Sequence, residues 1–175
     1  MGEEMQRLPE GVLVMYEKEL EILKTAIVNE QEGYQFYLMA AEKTEDPVLR
    51  GVFNGLAAEE ESHESWLRTT YRDIMEKGKP GAMLIDEFTM SPEIFTLDKL
   101  KEAGGIIIAA LKVGVMMEKA SMDFYRQAAA RTEIEEVKQL LLTLGKWEMG
   151  HLDRLEDAYD FAREEWWEQQ GFSES

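Results

Sequence analysis

The chain has 175 residues, 45% hydrophobic and 31% charged, long enough for one domain with a substantial core. Its formal net charge of −17 repels nucleic acid and anionic membrane surfaces and draws cations toward the protein. It has no cysteine, which excludes disulfides, thiolate metal sites and thiol redox chemistry, so any bound metal must be held by carboxylates and imidazoles.

A 3.6-residue period dominates and strand signals are scarce, which predicts an all-α chain. The first helix is expected over about 17–44, where Leu20, Leu23, Ile27, Tyr34, Tyr37 and Ala41 share a face. Asp46 followed by Pro47 reads as a helix start, with Asp as the cap and Pro in the first turn. The second helix then covers about 47–77, with Leu49, Phe53, Leu56, Leu67 and Ile74 as its apolar stripe, until Gly78 and Pro80 stop it. Residues 78–104 form a long crossover, with a short helix expected after Ser91 or Thr96. A third helix follows over about 105–131. Thr132 with Glu135 reads as a capping box opening a fourth, over about 133–167. Short links make each successive pair an antiparallel hairpin. The crossover can reach about 60 Å, past the length of a 28-residue helix at about 42 Å. The third helix then runs parallel to the second. The expectation is a single domain over 1–175, a four-helix bundle of up-down-down-up order with internal two-fold pseudo-symmetry.

The halves of the chain are related by a shift of 88 residues. Glu30 maps to Glu118, Tyr37 to Tyr125, Glu60 to Glu148 and His63 to His151, and Leu23, Leu56 and Leu67 map to Leu111, Leu144 and Leu155. Each of the two histidines carries a glutamate three residues before it, on the same helical face. Glu30, Glu60, His63, Glu118, Glu148 and His151 all interrupt apolar stripes and point at the core. Four buried glutamates carry a charge that must be neutralised or paired, and no Lys or Arg in these stripes balances it. Two divalent cations do. A helical bundle presenting one Glu and one Glu-x-x-His from each hairpin is a two-metal carboxylate arrangement. The glutamates of the first and third helices would complete or bridge the pair of ions. Mixed oxygen and nitrogen donors suit Fe or Mn, with Zn as an alternative.

Tyr37 and Tyr125 lie two turns beyond Glu30 and Glu118. Either they donate to ligand carboxylates across the bundle, or they are amphipathic core residues with their hydroxyls near a bundle end. Glu59, Glu61 and Glu64 are expected in solvent. Trp147, Trp166 and Trp167 are expected as packing residues, with Trp166 and Trp167 as a possible cover for a dimer surface, and the methionines as core filler.

These motifs resemble the rubrerythrin-like branch of the ferritin-like superfamily: Glu30 with Phe36-Tyr37, Glu60-x-x-His63, Glu118 with Phe124-Tyr125, and Glu148-x-x-His151. The resemblance implies a ferritin-like four-helix bundle with a non-haem di-iron centre that reacts with O2 or peroxide. The chain departs from rubrerythrins in two ways. It lacks their four-cysteine rubredoxin-like domain, and it has Ser121, mirrored by Gly33, where they place a further glutamate three residues after the third-helix ligand. The first departure removes internal electron delivery. The second puts ligand exchange in doubt and suggests room for a bound oxidant.

The expected function is an oxidoreductase reducing peroxide or O2 at two Fe ions (Mn as the alternative), fed by an external donor such as a rubredoxin. The other readings are an iron-binding ferroxidase for detoxification or storage, a dimanganese catalase-like protein, and a non-catalytic helical module. With no apolar run near the roughly 18 residues that span a bilayer and no signal-peptide core at the start, a cytoplasmic homodimer without nucleic-acid or membrane partners is expected.

Overall fold

A computed structural model describes residues 10–81 and 105–171. Its helices are α1 (Glu10–Met15), α2 (Glu17–Lys43), α3 (Pro47–Lys77), α4 (Gly105–Arg131) and α5 (Glu135–Gln169), and no strand occurs among the described residues. The four long helices form the all-α bundle of the ferritin-like fold. Most of the crossover expected over 78–104, with its short helix, lies outside the described residues.

Local chemistry sets the helix ends. The Asp46 carboxylate accepts from the amides of Val48 at 2.7 Å and Leu49 at 3.0 Å, meeting two donors that the first turn leaves without helical partners. Gly78 closes α3 at φ 69°, a left-handed conformation that glycine adopts without a Cβ clash, and its amide reaches the Ile74 carbonyl. The expected capping box at Thr132 does not form. Helix α5 opens at Glu135 with Ile134 in the cap position, so Glu135 stands too early to reach back. The Thr132 hydroxyl instead accepts from the Ile134 amide at 3.2 Å and donates to Glu19 at 2.7 Å, tying the α4–α5 link to the start of α2.

Two cross-bundle bonds give the topology. Tyr37, late in α2, reaches Glu118 in α4, while Tyr125, late in α4, reaches Glu30 in α2. Helices α2 and α4 are therefore antiparallel. Each hairpin is also antiparallel, so α4 runs with α3 and the order is up-down-down-up. The pseudo-two-fold axis crosses the bundle at its middle, and the apolar core divides about it into two clusters. One contains Tyr37, Leu49, Phe53, Leu56, Leu111 and Leu155. The other contains Leu23, Leu67, Tyr125, Val137, Leu141 and Leu144. The 88-residue shift carries each of the first six onto one of the second. The methionines do not all fill this core: Met39 and Met116 expose 53% and 62% of their surface from the outer sides of α2 and α4. No described helix is long and apolar enough to cross a membrane.

Candidate metal centre

Between the two apolar clusters lies a belt of six ionisable side chains. Helix α2 supplies Glu30, α3 Glu60 and His63, α4 Glu118, and α5 Glu148 and His151, and all are buried with at most 4% exposure. Each interrupts a stripe whose apolar residues drive it inward; Glu60 and His63 stand between buried Leu56 and Leu67. The Nδ1 atom of His63 lies 3.1 Å from Glu30, 3.3 Å from Glu60 and 3.3 Å from Glu148. That of His151 lies 3.5 Å from Glu60, 3.6 Å from Glu118 and 3.3 Å from Glu148. The rings stack with centroids 5.5 Å apart.

The belt resolves into two overlapping groups that could each hold a metal ion: Glu30, Glu60, His63 and Glu148, and Glu60, Glu118, Glu148 and His151, with donor atoms in each within 4.8 Å of one another. Glu60 and Glu148 belong to both. The glutamates of α2 and α4 each belong to one, so they can complete the pair and the Glu-x-x-His glutamates can bridge it. The donor set fits such ions. Both Glu148 oxygens and Nδ1 of His151 are buried without a hydrogen-bond partner among the described residues, although opposite charges stand within 3.3–3.6 Å. Attraction is present, but the direction of a hydrogen bond is not. A cation between these lone pairs would satisfy them.

The metal-free belt balances its charge with protons. Burial and the charge of Glu148 hold the Glu30 and Glu118 carboxyls well above their ordinary value. Burial and Glu148 also push Glu60 upward, but bonds from His151 and His63 outweigh them and hold it at about 2. Burial raises Glu148 too, and the same two imidazoles overcome it and hold it low. Burial opposes charge on both histidines, yet the glutamates around them hold their values well above normal. The imidazoles thus favour the charged forms of Glu60 and Glu148 and are favoured by them in turn, while burial favours the proton-bound forms of Glu30 and Glu118.

Tyr37 and Tyr125 are fully buried and donate to Glu118 and Glu30, each from the opposite hairpin. Of the two sequence alternatives, the geometry selects the hydrogen-bonding one. Burial, then the adjoining glutamate, pushes both phenols well above their ordinary value, so they remain donors. A cavity of about 10 Å³ opens between Gly33 and Ser121, bounded by Glu30, Glu60 and Glu118. That is room for about one water-sized molecule.

Two of the three acids expected in solvent are not there: Glu64 keeps 17% side-chain exposure and accepts from Gln31 and Arg68, and Glu59 departs further. Glu59 is not in solvent: its carboxylate lies 2.5 Å from Nε2 of His151 and accepts from Arg154 at 2.9 Å, with 14% side-chain exposure. Burial would raise its value, but His151 and Arg154 outweigh that and hold it at about 2. Trp147, expected as packing, stacks obliquely on His63, and so does Trp66, which the sequence reading passed over. The signal was available in the 88-residue shift, which sets Glu59 against Trp147 and Trp66 against Arg154.

A family model described as Rubrerythrin matches residues 21–159, which take in most of the four long helices and every residue of the belt. Neither a curated protein nor a solved structure matches.

Proposed function

The chain belongs to the rubrerythrin family, and from that premise we propose that it is a two-metal carboxylate oxidoreductase that reduces peroxide or O2 with electrons from an external donor. The observation that carries this reading is the buried belt of four glutamates and two histidines, whose donor atoms converge in two groups while both Glu148 oxygens and Nδ1 of His151 stay without a hydrogen-bond partner. Glu30, Glu60, His63, Glu118, Glu148 and His151 would hold two Fe ions, with Mn as the alternative for the same donor types. When bound, such ions supply the electrons for reducing the oxidant.

The chain's own residues set the conditions for that chemistry. Glu60 and Glu148 would bridge, while Glu30 and Glu118 would each serve one position. The phenols of Tyr37 and Tyr125 fix the orientation of Glu118 and Glu30 and leave each carboxylate's other oxygen to turn inward. Fully buried Leu side chains at both ends, joined by Phe53 at one, keep bulk water out and limit escape of reactive species. The Gly33–Ser121 cavity is the natural berth for a small oxidant, beside three of the carboxylates. Reduction of H2O2 to water consumes two electrons and two protons. The bundle has no cysteine and hence no thiolate redox centre of its own, so the electrons would come from a one-electron carrier outside it, of the rubredoxin type.

Stopped-flow mixing of peroxide with the anaerobic Fe(II)-loaded protein tests the proposal. Ferric absorbance in the near ultraviolet should rise within seconds and return to baseline when a reduced one-electron carrier is added. Iron that stays ferrous after peroxide would overturn the reading.

A further inference from the structure

The six belt residues obey the pseudo-two-fold, but the side chains behind the two histidines do not. Behind His151 stands a charged pair. Its Nε2 meets Glu59 at 2.5 Å, the same carboxylate oxygen accepts from Arg154 Nη2 at 2.9 Å, and Arg154 Nε is anchored on the Gly150 carbonyl at 3.2 Å. Behind His63, at the mirrored positions, stand two indoles. The rings of Trp66 and Trp147 lie 5.8 and 5.0 Å from the imidazole and 4.6 Å from each other. There Nε2 of His63 is buried and has no hydrogen-bond partner among the described residues. One half of a duplicated site therefore has a carboxylate and guanidinium where the other has a pair of aromatic rings.

We propose that the two metal positions are inequivalent by construction: Glu59, held by Arg154, is a positioning residue that makes the position served by His151 the tighter, and the position served by His63, backed by Trp66 and Trp147, the weaker. This rests on the two-metal reading above and extends it to an order of filling. Both imidazoles turn Nδ1 toward the belt, so a metal takes Nδ1 and the ring proton must sit on Nε2. At His151 that N–H donates to an anion, which fixes the tautomer, locks the ring plane and strengthens Nδ1 as a donor. At His63 the same N–H is buried against aromatic rings without an acceptor, so the metal-ready tautomer is disfavoured there. The two effects act in the same direction. Loss of a carboxylate behind a ligating histidine typically weakens metal binding by about 10–100-fold, which sets the expected gap between the two positions.

Titration of the metal-free full chain with Co²⁺ alone, followed by calorimetry and by visible absorption, reads this gap. The wild type should fill in two steps at least about 10-fold apart. Glu118→Gln should remove the tighter step and Glu30→Gln the weaker, because each serves one position. Glu59→Ala should weaken the tighter step by about 10–100-fold, so that the two steps merge. Glu59→Gln, which still accepts a hydrogen bond but carries no charge, should fall between and preserves the shape of the side chain should alanine fail to fold. A proton–nitrogen NMR spectrum of imidazole-labelled protein supplies an independent signature, since the chain has only two histidines. The Nε2–H of His151 should appear as a slowly exchanging downfield signal in the wild type and in Glu59→Gln, and vanish in Glu59→Ala. Two ions bound with indistinguishable affinity, or a tighter step unmoved by Glu59→Ala, would overturn the inference and leave the metal site standing. No binding at all would overturn both.

Discussion

The ends of this bundle and its middle obey different rules. At either end the four helices present Leu, Ile, Val, Phe and Ala, with Leu23, Leu49, Phe53, Leu111 and Leu141 fully buried. Burying such side chains stabilises the fold by about 1.5–3 kcal/mol each. In the middle the same helices bury six ionisable groups that oppose folding unless they are paired, protonated or bound to a cation. The contrast separates what holds the protein together from what it is held together to do. The ends supply the stability that the belt consumes, and the proposed metal ions would relieve the charge gathered there.

The largest expected effect exploits the protons that stand in for cations. Loading divalent ions should expel protons, because the proton-bound forms of Glu30, Glu118, His63 and His151 are all favoured in the metal-free belt. The combined binding constant should then fall on acidification, by about 10-fold per pH unit for each proton released. Calorimetry in buffers of different ionisation enthalpy counts these protons directly, and a count near zero would contradict this charge assignment. The metal-free protein responds in the opposite sense. Its raised groups contribute stability that is complete below their ordinary values of 4.5 and 6.5 and is lost as pH rises through the raised ones. Glu59 and Glu60 are depressed to about 2, so their contribution is present above 4.5 and lost as pH falls toward 2. The melting-temperature gap between metal-loaded and metal-free protein should therefore widen as pH rises above neutrality.

Next in size is a cut at one end of the bundle. Phe53→Ala should cost about 3–5 kcal/mol in urea denaturation, because the ring is fully buried and packs beside the equally buried Tyr37 ring. The loss should be similar with and without metal. Replacing a belt pair by apolar groups should do the reverse. Glu118→Leu with Tyr37→Phe removes a buried acid together with its donor, so the metal-free protein should be unchanged or more stable by up to about 4 kcal/mol. The same double substitution should eliminate one of the two bound ions. The smallest effect belongs to Tyr37→Phe alone, which leaves the Glu118 oxygen without its donor and should cost about 1–3 kcal/mol in chemical denaturation. If the double variant proves less stable than the single one without metal, the belt is not the destabilising region described here.

Much of this was legible in the sequence because the shift of 88 residues ties chemistry to topology. A repeat of hairpins with one long connection admits few arrangements, and the one that brings Glu30 beside Tyr125 and Glu118 beside Tyr37 is the one observed. What escaped depends on contacts between helices far apart in sequence. Glu59 sits one position round the α3 helix from Glu60, enough to leave the stripe as a helical wheel draws it, and its partners His151 and Arg154 belong to α5. Thr132 has the spacing of a cap, but Glu19 offers its hydroxyl a buried acceptor across the bundle. Met39 and Met116 are apolar by type, but the periodic stripes do not include them and they face outward.

Elemental analysis of protein purified without added metal or chelator decides whether the belt holds two metal ions, as proposed. Two equivalents of Fe or Mn per chain, falling to one in Glu30→Gln and to one in Glu118→Gln, is the expected result. A metal-free protein that neither binds added Fe(II), Mn(II) or Co(II) nor gains thermal stability from them would contradict it.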